Sequence, residues 1–200
     1  IQPTLEFKPT PKWQLRLTPT LVDLHDPAQY LFQFADPSAT HTHNARYVFA
    51  SLDYTQVALE TRLNYTITPG LSVQVYAQPL IASGDFGPVK ELAAPNTYAF
   101  NVYGEDVGVV TGERVYPSGL ASPGNSFALP RPNFNSTSLR GNAVLRWEWR
   151  PGSTMYLAWQ QTRSGFGSIG DFDLNRDVDL LFGQAPDNIV VLKVSYWLNP

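Results

Sequence analysis

Residues 57–67 read Val57-Ala58-Leu59-Glu60-Thr61-Arg62-Leu63-Asn64-Tyr65-Thr66-Ile67. Val57, Leu59, Leu63, Tyr65 and Ile67 share one parity, and Ala58, Glu60, Arg62, Asn64 and Thr66 the other. Successive side chains of a strand point to opposite sides, so this run is a strand with one apolar and one polar face. Residues 71–79 repeat it, with Leu71, Val73, Val75 and Ala77 against Ser72, Gln74, Tyr76 and Gln78. Thr68-Pro69-Gly70 between them reads as a tight turn in which Pro69 fixes φ and Gly70 takes φ > 0. Over 139–149, Leu139, Ala143, Leu145, Trp147 and Trp149 oppose Arg140, Asn142, Arg146 and Glu148. A second turn, Arg150-Pro151-Gly152-Ser153, leads into a strand over 154–162. A final strand over 188–198 sets Val190, Leu192, Val194, Tyr196 and Leu198 against Lys193 and Ser195.

Fainter patterns predict strands at 1–8, 12–22, 28–35, 45–54, 97–103 and 107–115. One helix is expected over 174–182, capped by Asp173, with Leu174, Val178, Leu181 and Phe182 as its stripe. No repeat and no linker divides residues 1–200, which read as one domain of ten to eleven strands.

The 200 residues include 17 Pro and 14 Gly, which oppose long helices. Lys+Arg number 14 and Asp+Glu 17, a net charge of −3 with no basic run, so nucleic acid is not an expected partner. The absence of Cys excludes disulfides, thiolate metal sites and a thiol nucleophile. No apolar run reaches the length of a membrane helix. No signal peptide is visible, and a first residue of Ile suggests a processed chain or a part of a longer one.

Connection lengths extend the reading. Short connections are expected at 9–11, 68–70, 150–153 and near Gly104-Glu105-Asp106, and long polar loops at 80–96, 116–138 and 163–187. From residue 57 onward short and long alternate, the layout of an outer-membrane barrel. The earlier part breaks the alternation: 36–44 falls on the short-turn side and a tight connection at Tyr54-Thr55-Gln56 on the long-loop side. Three further features favour a membrane barrel over a soluble sandwich or a lipocalin-like barrel, in which the apolar face would be inside. The clear strands have the length of a tilted span. Their polar faces carry both signs of charge, as Glu60, Arg62, Arg140, Arg146 and Glu148. Rings gather near strand ends, as Trp13, Tyr65, Trp147, Trp149, Trp159, Tyr196 and Trp197, which suits an aromatic girdle. The expected fold is therefore all-β, an antiparallel up-and-down transmembrane β-barrel with one short helix in a long loop. An odd strand count suggests the C-terminal part of a larger barrel; without 1–8, ten strands close alone.

Several runs carry a family resemblance. They are Arg46-Tyr47-Val48-Phe49-Ala50-Ser51-Leu52-Asp53, the stretch from Leu63 to Pro79, Gly84-Asp85-Phe86, the stretch from Ser138 to Thr154, Gly170-Asp171-Phe172-Asp173 with Arg176-Asp177, and Lys193-Val194-Ser195-Tyr196-Trp197-Leu198. Together they resemble the DUF5916 family over roughly residues 45–198. The resemblance implies a long secreted protein of Gram-negative-type bacteria. Such proteins begin with a family 9 carbohydrate-binding-like module and end in an outer-membrane barrel. It implies no catalytic residues, and the front of the family pattern is missing from this chain.

Glu60, Arg62, Arg140, Arg146 and Glu148 are the lumen-lining candidates, expected as a ladder of opposite charges on neighbouring strands that sets selectivity or stiffens a plugged interior. Asp171, Asp173 and Asn175, with Asp177 and Asp179, have the spacing of a calcium loop, but Arg176 and Phe182 stand where Gly and Glu are required. His41 and His43, near His25, would share a face on a strand as half a metal site. Glu60 and Glu148 are the one strand-borne carboxylate pair for glycosidase chemistry. The expected function is a non-enzymatic outer-membrane anchor or channel, without cofactor, whose partners are the lipid bilayer and carbohydrate. The alternatives are a soluble carbohydrate-binding β-sandwich with Trp and Tyr platforms, and a glycoside hydrolase.

Overall fold

A computed structural model describes residues 2–121 and 125–198. The fold is all-β and mostly antiparallel, with one α-helix. Its strands are β1 (Leu5–Phe7), β2 (Trp13–Ala35), β3 (Ala45–Thr68), β4 (Leu71–Leu92), β5 (Phe100–Val102), β6 (Val109–Thr111), β7 (Arg114–Tyr116), β8 (Phe127–Ala128), β9 (Phe134–Arg150), β10 (Ser153–Gly167) and β11 (Asp187–Ser195). Helix α1 spans Leu174–Gly183, and Asp173 caps it by accepting from the Arg176 N–H, as the sequence predicts. The main sheet runs β1-β2-β3-β4-β9-β10-β11 with β5 on β4, and β6-β7-β8 form a second sheet. Neither sheet closes among the described residues; β1 and β11 are the free edges of the first.

Several expected breaks are absent. The runs 12–22 and 28–35 are one strand, β2, and the runs 45–54 and 57–67 are one strand, β3. Tyr54-Thr55-Gln56 is not a turn; it holds no Gly or Pro, and Tyr and Thr favour strands. β2 tolerates Pro19 and Pro27 because β1 covers it only from Leu15 to Leu17, so beyond that point its outer side is an edge. β4 continues to Leu92 through the expected loop at 80–96. Gly87 there marks a close approach, because a Cβ would strike the Ser51 side chain. The run 107–115 is a hairpin of β6 and β7, and the run 97–103 keeps only β5. With those breaks gone, the connections at 8–12, 69–70 and 151–152 are short, and those at 36–44, 93–133 and 168–186 are long. The alternation now holds along the whole main sheet, and 36–44 joins the long-loop set.

The chain divides into two compact units. Unit 1 comprises Ile1–Asp23, Thr55–Ser83 and Phe134–Pro200. Its register is clearest in β9, β10 and β11. Ser153 pairs with Arg150, but Thr154 pairs with Glu148, so a one-residue bulge sits beside the turn. Without it Leu157 would lie opposite Arg146; with it Leu157 opposes Leu145 and Tyr156 opposes Arg146. The residue with φ > 0 is Gly152, at 78°. Gly70, expected to take that conformation, is not among the positive-φ glycines. Gly70 is required for another reason: a Cβ there would lie 2.6 Å from the Glu148 carbonyl oxygen, and its own carbonyl accepts from the Glu148 N–H at 2.7 Å.

Unit 2 comprises Leu24–Tyr54 and Gly84–Asn133. It has a compact apolar core of Val48, Val89, Tyr103 and Val115. Phe127 centres an aromatic cluster there, 5.5 Å from Phe32, 5.2 Å from Phe34 and 5.5 Å from Tyr103.

Gly152→Ala is expected to destabilise the chain by about 1–2 kcal/mol through the left-handed conformation, and further because a Cβ there would stand 3.0 Å from Trp197 Cβ. Gly70→Ala is expected to cost about 1–3 kcal/mol through the lost Glu148 hydrogen bond and steric conflict. Gly112→Ala, at φ 58° with open space around it, should cost only the conformational part, about 1–2 kcal/mol, and so less than Gly152→Ala. Urea unfolding midpoints of the three variants test this ordering.

Candidate functional site

Directly opposed residues of an antiparallel pair project to the same face. In unit 1 the register therefore sorts side chains into two sides. On one lie the rows Ala143–Trp159–Val190, Leu145–Leu157–Leu192 and Trp147–Met155–Val194 across β9, β10 and β11. On the other lie Arg146–Tyr156–Lys193, Glu148–Thr154–Ser195 and Asn142–Gln160–Ile189, with the apolar row Val144–Ala158–Val191 among them. The pairing of β1 with β2 divides likewise, with Leu5–Leu17 and Phe7–Leu15 on one side and Glu6–Arg16 on the other.

The polar side assembles most of the expected charges. Glu60 accepts from Arg62 Nε at 2.7 Å, and Arg62 also lies over the Tyr76 ring, 5.1 Å from its centroid. Glu148 accepts from Arg146 Nη2 at 2.7 Å, and Arg146 Nε donates to the Tyr156 hydroxyl at 3.2 Å. These pairs lie two residues apart along single strands, not across neighbouring strands as a ladder requires. The physical reason is reach: residues two apart on one strand share a face, and a long guanidinium spans that gap. Arg140 opposes Thr162 and joins neither pair. Glu60 and Glu148 each face an arginine, not each other. A groove of about 410 Å³ runs along this side, lined by Arg62, Asn64, Gln74, Tyr76 and Asn142 with Val75 and Val144. Its walls supply amides, a guanidinium and a phenol ring, which suit water or hydroxyl-bearing solutes.

Along its three rows from Ala143 to Val194 the apolar side is bare. Leu59, Trp147, Leu157 and Trp159 are each about 40% exposed (38%, 45%, 38% and 42%), and all nine residues of β11 are exposed. Among the described residues of unit 1 the buried hydrophobic ones are Ala58, Ile81, Ala82 and Leu181. Six of the seven expected girdle rings sit beside short connections. Trp13 packs on Tyr65 with centroids 4.8 Å apart, and Trp147 meets Trp149 edge-on at 6.0 Å. Tyr196 lies under the Arg150 guanidinium at 4.0 Å, and the Trp197 N–H donates to Ser153 Oγ at 3.0 Å. Trp159 stands apart from them, inside β10 between Ala143 and Val190, and its indole N–H donates to Asn188.

The carboxylates of the expected calcium loop hold a guanidinium. Arg176 reaches Asp171 at 3.0 Å and buried Asp177 at 2.9 Å, while Asp173 caps α1. Opposed hydrogen-bonded carboxylates raise the Arg176 pKa above its ordinary value. No cluster of metal-ligating residues occurs among the described residues. His41 and His43 are not on a strand; they flank Thr42 in a 3₁₀ turn over Thr40–Thr42, and His25 pairs with Asp53 at 2.6 Å.

Unit 2 contains a buried ionic cluster that the sequence reading missed. Arg46 Nε donates to Asp36, and its Nη1 donates to Glu91 Oε2 at 2.6 Å. The Tyr103 hydroxyl donates to the same Glu91 oxygen at 2.5 Å. Ser38 and Asn125 donate to Asp36 at 2.7 Å. Burial by itself raises the Asp36 pKa, but hydrogen bonds from Arg46 and Ser38 outweigh it and hold the carboxyl below its ordinary value. Burial and the carboxylate of Glu91 push the Tyr103 phenol up. A signal was present in the sequence: Arg46 shares parity with Val48 and Ala50, and all three are buried.

Arg46→Met leaves two buried carboxylates without their cation, and unit 2 is expected to lose about 3–5 kcal/mol. Because the folded pKa of Asp36 is depressed, its contribution is present above the unfolded value. It is lost as pH falls below about 4 toward the folded value. Hydrogen-exchange protection of amides 36–54 should drop in acid in the native chain, and should start low with little further pH dependence in Arg46→Met.

No family model matches the chain, and no curated protein or solved structure matches it.

Proposed function

We propose that unit 1 forms part of the wall of an outer-membrane β-barrel, in line with the DUF5916 resemblance. The protein would serve as a membrane anchor or channel rather than as an enzyme. The observation that carries this reading is the sheet of unit 1, whose apolar rows from Ala143 to Val194 the chain leaves uncovered. A soluble β-sandwich spends such a side on a dry core. Hydrocarbon is the other medium in which rows such as Leu145–Leu157–Leu192 are stable without cover.

Three further features support it. The unit 1 parts of β2, β3 and β4, over 13–23, 55–68 and 71–83, have near the length of a tilted span. The rings beside the short connections suit a headgroup belt. The polar side, with its arginine–glutamate pairs and amide-lined groove, suits a hydrated lumen that passes or holds uncharged polar solutes such as carbohydrate.

In this reading β1 and β11 do not remain edges. Unpaired backbone groups in hydrocarbon are costly, so both pair with further strands to complete a closed wall. Seven strands in the main path fall short of the smallest such barrels, which have about eight.

Leu157→Arg and Leu145→Arg are expected to destabilise the chain by about 2–4 kcal/mol in a bilayer, whereas Gln160→Arg on the polar side should be far milder. In a water-soluble sheet, exposed Leu157 and exposed Gln160 would tolerate Arg alike. Reversible unfolding from vesicles, with fractionation of the expressed protein, checks this. A monomer that stays in the aqueous fraction without detergent would falsify the proposal.

A further inference from the structure

In unit 1, away from the polar groove, a cavity of about 300 Å³ is lined by the ends of β9 and β10, residues 168–169, α1 and Gln184. Its floor is set by register. Asn135 opposes Gly167 and Thr137 opposes Gly165, so two buried polar side chains each face a residue without a Cβ. Nothing lies within 4 Å of where a Gly167 Cβ would stand, so space opens there. A Cβ on Gly165 would press on Thr137 Oγ1 and Gln184 Nε2, at 2.9 and 3.0 Å.

Asn135 is only 3% exposed, yet its Nδ2 has no hydrogen-bond partner. A buried amide left unpaired costs stability, and native chains seldom keep one without a role. Ile169 and Leu180 add apolar walls. Phe166, 81% exposed, lies 6° from parallel with Phe134 at 6.4 Å, a flat aromatic ledge at the rim. The lining carries no charged side chain. A charged ligand would therefore be desolvated without a counter-charge.

We propose that this cavity binds a small neutral ring molecule bearing an acceptor oxygen. Asn135 Nδ2 donates to that oxygen, Thr137 and Gln184 offer further polar contacts, and the apolar face of the ring lies against Phe166, Ile169 and Leu180. The volume, at the small end of ligand pockets, suits one or two rings. A pyranose and a lactam share this chemistry. The inference stands on the geometry of unit 1 and not on the barrel reading.

The test uses the full chain in detergent micelles and saturation-transfer NMR. Methyl glucoside and 2-pyrrolidone form separate arms, with glucuronate and cyclohexylammonium as charged controls. At least one neutral probe should bind about tenfold or more tightly than either control, and Asn135→Leu or Gly167→Leu should each weaken it by about tenfold, the equivalent of one hydrogen bond to a buried group. Binding in the glucoside arm alone assigns a sugar, in the pyrrolidone arm alone a carbonyl ligand, and in both the shared chemistry. If Asn135→Leu does not fold, Gly167→Leu carries the test, since its side chain enters open space. The proposal is overturned if neither neutral probe binds, if the charged controls bind as well, or if the folded variants bind like the native chain.

Discussion

The pairing of β9 with β10 sets the character of unit 1. The two strands meet at a two-residue turn, and such a turn alone would place odd residues opposite even ones. The bulge at Ser153/Thr154 restores agreement, so apolar residues face apolar residues from Met155 to Trp159. β11 inherits that order through β10. One extra residue thus separates a sheet with two mixed faces from a sheet that gathers Trp147, Leu145, Leu157, Leu192 and Val194 on one side and all its charges near the turn on the other. Apart from the end of β9 and β10 on which α1 sits, the greasy side has no cover within unit 1, and that imbalance drives the membrane reading.

Unit 2 solves its packing in the ordinary way of water-soluble folds. Aromatic rings around Phe127 and the valines of β3, β4 and β7 make a dry centre. The ionic cluster ties connecting segments to two strands of the main sheet. Asp36 and Ser38 come from one connection, Asn125 from another, Tyr103 from beyond β5, and Arg46 and Glu91 from two long strands. A buried ion pair adds little stability over an apolar substitute, but it penalises any arrangement that separates its members. Its role here is to hold two long connections to one geometry.

Residues 57–79 were legible from the sequence because alternation, a Pro-Gly turn and adequate length all agreed. The helix was legible from Asp173 and a four-residue stripe. The continuity of β3 was not. Apolar parity is even at Val48 and Ala50 and odd at Val57 and Leu59, and a sequence reader places a turn where parity changes. The strand runs on because unit 2 buries its even side over 46–50, while the apolar residues over 57–67 stand on its odd side. Gly and Pro between residues 79 and 88 read as loop for a similar reason. At Gly87 the missing side chain answers a neighbour's closeness, which no local pattern reveals. Of the candidate site, the charges on the polar face were found, but their pairing along single strands and the cluster at Arg46 were not.

The amino-acid sequence by itself determined which residues alternate, where the tight turns fall at 69–70 and 151–152, and where a helix begins. These are short-range matters of side-chain direction, φ preference and capping. Tertiary structure alone decided where strands end, which carboxylate each arginine takes, and which buried amide is left unpaired. Those outcomes depend on groups distant in the chain meeting in space, and on how much water remains around them once they have met.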